Sequence, residues 1–264
     1  MTMPRTVDLA MSSPRSMNIW RLEWLRFSRT PRWIVLFGVY LVFGLLGPVM
    51  AKYLPEIVGQ VQSEMTIIVP PPQPKNGIAN YVNQVAQTGL IVVVTIAASA
   101  LTFDARRGIS TFFRTRVNSM WELVQPRIVV TAASAVLAYT VGTLACWFET
   151  SLLLGPLPAD ALVAGLLCES IYFIFAIAVV AAAAAIARGT LATVGIALTA
   201  IILLSIAGGL GLLHDWLPTT LAGAPAALLT TTTLSSYLPA MVVAAGSSVA
   251  LVAFAVIMLR RREI

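Results

Sequence analysis

Side chains able to do chemistry are sparse in this chain. His214 is its one histidine, and it stands beside Asp215. A zinc protease of the H-E-x-x-H type needs two histidines one helical turn apart, so that chemistry is excluded. A serine–histidine membrane protease would need His214 to reach Ser205 or Ser247. The blander expectation is a solvated histidine at the end of an apolar run. No G-x-x-x-x-G-K-[ST] loop occurs, and the two lysines are Lys52 and Lys75, so the chain has no P-loop with which to hold ATP. Cys146 and Cys168 both fall in apolar runs and form no disulfide or metal pattern. Glu169 is different: it is an acid well inside an apolar run, with Tyr172 one turn away. A carboxylate in hydrocarbon is costly unless paired, hydrated or protonated, and such residues lean functional. Three readings stand: a polar translocation path through Glu169 and Tyr172, a hydrogen bond to a neighbouring helix, or a span that starts later so that Glu169 snorkels outward.

The elements that position these groups are membrane helices. Six apolar runs cover 33–51, 85–103, 128–148, 161–186, 191–213 and 238–259. At about 1.5 Å per residue, about 20 apolar residues cross a hydrocarbon core of about 30 Å. A mean hydropathy of +0.88, with 58% hydrophobic and 11% charged residues, fits that class. The expected fold is all-α: a polytopic integral membrane protein with six transmembrane helices. Residues 1–32 form a tail and an interfacial helix, and residues 33–264 form the transmembrane domain.

The basic residues orient it. Arg5, Arg15, Arg21, Arg26, Arg29 and Arg32 precede the first run, and Arg106, Arg107, Arg114, Arg116 and Arg127 lie between the second and third. Arg188 separates the fourth from the fifth, and Arg260, Arg261 and Arg262 follow the sixth. Only Lys52 and Lys75 fall in the alternate loops. Cytoplasmic loops retain Lys and Arg, so both termini are expected in the cytoplasm. The pI near 9.8 is then a topology signal, and nucleic acid is not an expected partner. No cleavable signal is expected in the first thirty residues, which contain no apolar core segment. The excess of Arg over Lys and the abundance of Ala point to a GC-rich bacterial genome.

The connecting segments carry weaker signals. Met17, Trp20, Trp24 and Phe27 share one side of a short helix before the first span, with Arg21, Arg26 and Arg29 elsewhere, as suits a helix in the membrane interface. Ile19, Leu22 and Leu25 blur that pattern and are available to a neighbouring helix or a partner. Pro31 ends the helix. The run Pro70-Pro71-Pro72-Gln73-Pro74 favours an extended spacer, and residues 78–87 lead helically into the second span. The loop 104–127 mixes Arg with Phe112 and Phe113 along a short surface helix, and the apolar stretch 221–229 is too short to span and reads as an interfacial hairpin. Small residues at 181–185, 208–211 and 244–248 predict close helix packing in the last three spans. No internal repeat is evident.

Taken in order, these features resemble the permease subunit of ABC-2 type transporters. The likeness runs from Ile19 to Ile264: an amphipathic helix before the first span, then Asp104-x-Arg106-Arg107-Gly108-x-Ser110-Thr111, then Arg116, then Pro126-Arg127 opening the third span. Ala187-Arg188-Gly189 makes a short turn and Arg260-Arg261-Arg262-Glu263 closes the chain. The family usually has an acid where this chain has Arg107, and Lys where it has Arg127.

The resemblance implies a transport subunit with no enzyme activity of its own in the cell's inner (plasma) membrane. It would pair with a second permease, identical or different, and with two separate ATPase subunits that hold ATP and magnesium. Contact with the ATPases would fall on Trp20, Arg21 and Trp24 before the first span, and on Arg106, Arg107, Gly108, Phe112, Phe113, Arg114 and Arg116 in the loop. The family consists mostly of exporters, and the cargo expected here is an amphipathic small molecule, lipid or peptide. Two other classes are compatible with the residues: a proton-coupled secondary transporter using Glu169, and a membrane-embedded enzyme or scaffold with no ATPase.

Overall fold

The computed structural model describes residues 19–61, 71–102, 119–187, 189–209, 211, 213–230 and 232–261. Helix α1 (Ile19–Arg29) is followed by α2 (Arg32–Val61). Next come α3 (Pro74–Gln84), a single π turn (Val85–Gly89) and α4 (Leu90–Leu101), which together make one continuous crossing. Helices α5 (Met120–Leu153), α6 (Ala159–Ile186), α7 (Thr190–Gly209) and α8 (Leu238–Arg261) complete the bundle. Six helices are long and apolar enough to cross a membrane. The architecture is all-α, as the apolar runs require.

Several ends fall outside the expected runs. The second crossing starts at Pro74 and not at residue 85. Pro74 suits a first helical turn, where no N–H partner is lost, and Gln73 before it is extended. The polar-looking turn that follows is held because Ile78, Tyr81 and Val82 are buried. The third crossing begins at Met120, where Ser119 caps it by accepting from the Trp121 N–H at 3.2 Å, and runs 34 residues to Leu153. At about 1.5 Å per residue that is about 51 Å, so both ends project beyond a hydrocarbon core of about 30 Å. Glu149, beyond the expected third span, is inside this helix. The fifth crossing stops at Gly209, short of residue 213.

Burial is inverted relative to a water-soluble bundle. Leu191 is 86% exposed, and Val249, Val242, Leu152 and Phe148 are exposed with it, whereas Thr143, Thr150, Thr193 and Ser248 are buried. Without water outside, apolar side chains face lipid and polar ones turn inward. Helix α6 is central and packs on α4, α5, α7 and α8. From Phe175 to Ala185 every residue of α6 is buried, so it is enclosed on all sides. Its small alanines let neighbouring backbones approach.

The tightest approach lies elsewhere than the last three spans. Helices α2 and α5 cross where a Cβ on Gly142 would lie 2.5 Å from the Tyr40 carbonyl oxygen, and a Cβ on Gly44 would run into the Gly142 carbonyl. Gly77 on α3 approaches Thr150 on α5 in the same way, at 2.6 Å from Thr150 Oγ1. By contrast, Gly209 and Gly246 have open space where a Cβ would stand. Ala240, Ala244 and Ser248 of α8 are nonetheless buried. The expected hairpin over 221–229 is a set of short turns with Pro218, Leu221, Ala224 and Pro225 buried, and Pro225 packs on Gly165 of α6.

Candidate functional site

The structure builds two constellations of polar side chains, at different depths of the bundle. The first joins α1 to the spans. Glu23 is 4% exposed and Arg127, near the start of α5, is 1% exposed. Arg127 Nε donates to Glu23 Oε1 at 2.9 Å, and its Nη1 donates to the Ala100 carbonyl at 3.4 Å. Arg26 stands one turn along, with Nη1 3.6 Å from the same Glu23 oxygen. Three elements, α1, α4 and α5, are thus tied at one point. Phe27 packs against the apolar core beside it.

This sets the orientation of α1. Its packed side is defined by Glu23 and Phe27, not by the tryptophans. Trp20 and Trp24 are 45% and 54% exposed, and Arg21 is also exposed. The side of α1 that carries Trp20 and Trp24 is therefore presented outward. Met17 lies outside the described residues, as do Arg106, Arg107, Gly108, Phe112, Phe113, Arg114 and Arg116.

The second constellation surrounds Glu169, which is 3% exposed near the middle of α6. Tyr40 of α2 and Tyr139 of α5 meet edge to face, with centroids 5.9 Å apart, and both meet Phe173 of α6 edge to face. Tyr81 of α3 stacks on Tyr139 at 5.7 Å, donates its hydroxyl to the Tyr139 carbonyl at 3.3 Å and accepts from Thr143 at 3.4 Å. Tyr172 lies beside Phe173. The Glu169 carboxyl is within electrostatic reach of Tyr40, Tyr81, Tyr139, Tyr172 and Cys168. Among the described residues, Glu169 Oε2 and the hydroxyls of Tyr40 and Tyr139 are buried without a hydrogen-bond partner, and so is Gln84 Oε1. The π turn adjoins this place: a Cβ on Gly89 would lie 3.0 Å from the Tyr40 hydroxyl. Single π turns within membrane or soluble helices recur at functional positions.

The expected pair Glu169 and Tyr172 is therefore found together, with three tyrosines from other helices that the sequence did not single out. Glu23 was equally unmarked. The protease alternative is not assembled: His214 is exposed with Nδ1 3.2 Å from Asp215, while Ser205 and Ser247 donate to the carbonyls of Ile201 and Val243 within their own helices. Cys146 and Cys168 are both free and buried. Among the described residues no three His, Cys, Asp or Glu side chains converge as a metal site.

An apolar groove of about 350 Å³ opens between α5, α6 and α8, lined by Ile128, Val129, Ile174, Val249 and Val252 with Trp121 at one end. Comparison with protein-family models, with curated proteins and with solved structures finds no match. Fold and site define a six-helix membrane bundle with a short preceding helix, α1, pinned to it by a buried ion pair.

Proposed function

We propose that this chain is the permease subunit of an ATP-driven transporter of the ABC-2 type. In this reading it acts in the plasma membrane and exports an amphipathic small molecule, lipid or peptide. ATP is hydrolysed on a separate pair of ATPase subunits, and a second permease completes the path. The observation that carries the reading is the attachment of α1: a short helix fixed to two spans through Glu23, Arg127 and Ala100, with Trp20, Trp24 and Arg21 facing away. A helix so placed is a lever. A partner that moves it shifts α4 and α5 with it, and coupling of this kind is a bias between two packings.

The sequence has no P-loop, so in this reading ATP is held and hydrolysed by another chain. The apolar groove supports a cargo with hydrocarbon character, since only Gln125 and Ser248 among its lining residues offer polar atoms besides Trp121. Glu169 and the tyrosines around it give the interior a polar station. The test is hydrolysis: the purified chain alone is expected to turn over no ATP, and co-purification with an ATPase encoded beside it is expected to give hydrolysis stimulated by the permease. Turnover by the isolated chain, free of contaminants, overturns the reading.

A further inference from the structure

The unpaired oxygens in the bundle interior form a site of their own, and its chemistry does not depend on the ATPase reading. Glu169 Oε2, the Tyr40 hydroxyl and the Tyr139 hydroxyl come from three different helices, and each is buried with no hydrogen-bond partner among the described residues. The residues are at most 3% exposed. A buried polar atom left unpaired costs about 1–3 kcal/mol, more when charged, so two such hydroxyls with an unpaired carboxylate oxygen mark a place for a guest. The rings cannot turn away to solvent, because Tyr40, Tyr139 and Phe173 hold one another edge to face.

We propose that Glu169, Tyr40 and Tyr139 bind a monovalent metal cation of the sodium type. Three arguments select it. The donor atoms are all oxygens, which suit hard cations and not thiophilic or imidazole-seeking metals. The described residues give Glu169 no ion-pair partner, so the guest must bring positive charge; a water molecule alone leaves a bare carboxylate about 15 Å along α6, deep in hydrocarbon. A proton alone neutralises the carboxyl but leaves the two hydroxyls orphaned, whereas in this proposal one ion is shared by all three. A single carboxylate balances one positive charge and not two. The π turn at Val85–Gly89 brings the backbone between α3 and α4 close to the Tyr40 hydroxyl at a position with no side chain, where even a methyl group would lie 3.0 Å from that oxygen. Locally irregular helices at mid-membrane are a recurrent setting for coupling ions.

The titratable groups facing Glu169 are Tyr40 from α2, Tyr81 from α3, Tyr139 from α5, and Cys168 and Tyr172 from α6. The experiment is thermal unfolding of the purified full chain in detergent, followed by tryptophan fluorescence. Sodium chloride is titrated against choline chloride at constant ionic strength, at several pH values. A ligand that binds the native state alone raises the melting temperature saturably, and that is the expected sodium response. Glu169→Gln keeps the shape, removes the charge and is expected to abolish it. Tyr40→Phe and Tyr139→Phe delete only an unpaired hydroxyl, and each is expected to raise the half-saturating sodium concentration by roughly 10–100-fold, the scale of losing a group that supports a bound metal. These two decide the matter should Glu169→Gln not fold. Equal melting in sodium and choline, or a response to pH without one to sodium, overturns the cation in favour of water or a proton. A sodium response unchanged in both Tyr→Phe variants overturns the site.

Discussion

Arg127 and Glu23 stand 104 residues apart in sequence and 2.9 Å apart in space, both buried, at a point where α1, α4 and α5 meet. Two charges taken from water repay their desolvation only while both are present, so the pair is a lock between elements more than a source of net stability.

That asymmetry is testable by a double-mutant cycle. Glu23→Leu or Arg127→Met alone removes one member of the buried pair and is expected to cost about 3–5 kcal/mol. Glu23→Leu combined with Arg127→Met is expected to recover most of it. Thermal unfolding in micelles reads the result, and strictly additive losses would show that the two side chains do not act as a unit.

Gly142 and Gly44 make the second structural demand. A methyl group at either position meets backbone of the opposite helix, whereas at Gly246 or Gly195 it meets nothing within 4 Å. Gly142→Ala is expected to destabilise by about 1–3 kcal/mol through overpacking. Gly246→Ala is expected to be neutral or slightly stabilising, because Ala suits a helix better than Gly. Equal melting temperatures for the two variants would contradict the close crossing of α2 and α5.

The basic residues predict an orientation across the membrane. In a background with Cys146 and Cys168 replaced by Ala, Gln73→Cys, which is exposed, is expected to react with an impermeant thiol reagent from outside whole cells. Ser28→Cys, also exposed, is expected to react only after permeabilisation. The opposite pattern reverses the topology.

Contact with an ATPase is expected to depend on apolar anchors more than on charge. Surface ion pairs are worth under about 1 kcal/mol, while aromatic anchors at interfaces reach about 2 kcal/mol or more. Trp20→Ala with Trp24→Ala is therefore expected to lower recovery of the ATPase in a pull-down, and Phe112→Ala or Phe113→Ala more than Arg114→Ala does. Full recovery by the paired Trp variant and the paired Phe variant, both inserted normally, would make these side chains membrane anchors only.

The apolar runs made the six crossings legible, since length and hydropathy alone are what a bilayer selects. Their ends were less so. Residues 74–84 read as polar loop and helical lead-in, yet Ile78, Tyr81 and Val82 put enough apolar surface on one side to extend the second crossing. Ser119 and Met120 carry the third helix past its apolar run because a cap and the buried Leu123 and Val124 support it. Glu169 was visible as an acid out of place. Its tyrosine neighbours were not, because Tyr40, Tyr81 and Tyr139 look like ordinary aromatic core until three helices bring their rings together. Glu23 was hidden for the same reason: its partner lies two spans away, and no local spacing encodes that distance.

The central claim is assembly with an ATPase, and native mass spectrometry of the tagged chain isolated from its own membranes tests it most directly. The predicted complex holds two P-loop ATPase subunits with two permease chains, at least one of them this protein. A species that contains this chain alone, or copies of it with no P-loop protein, would contradict the account.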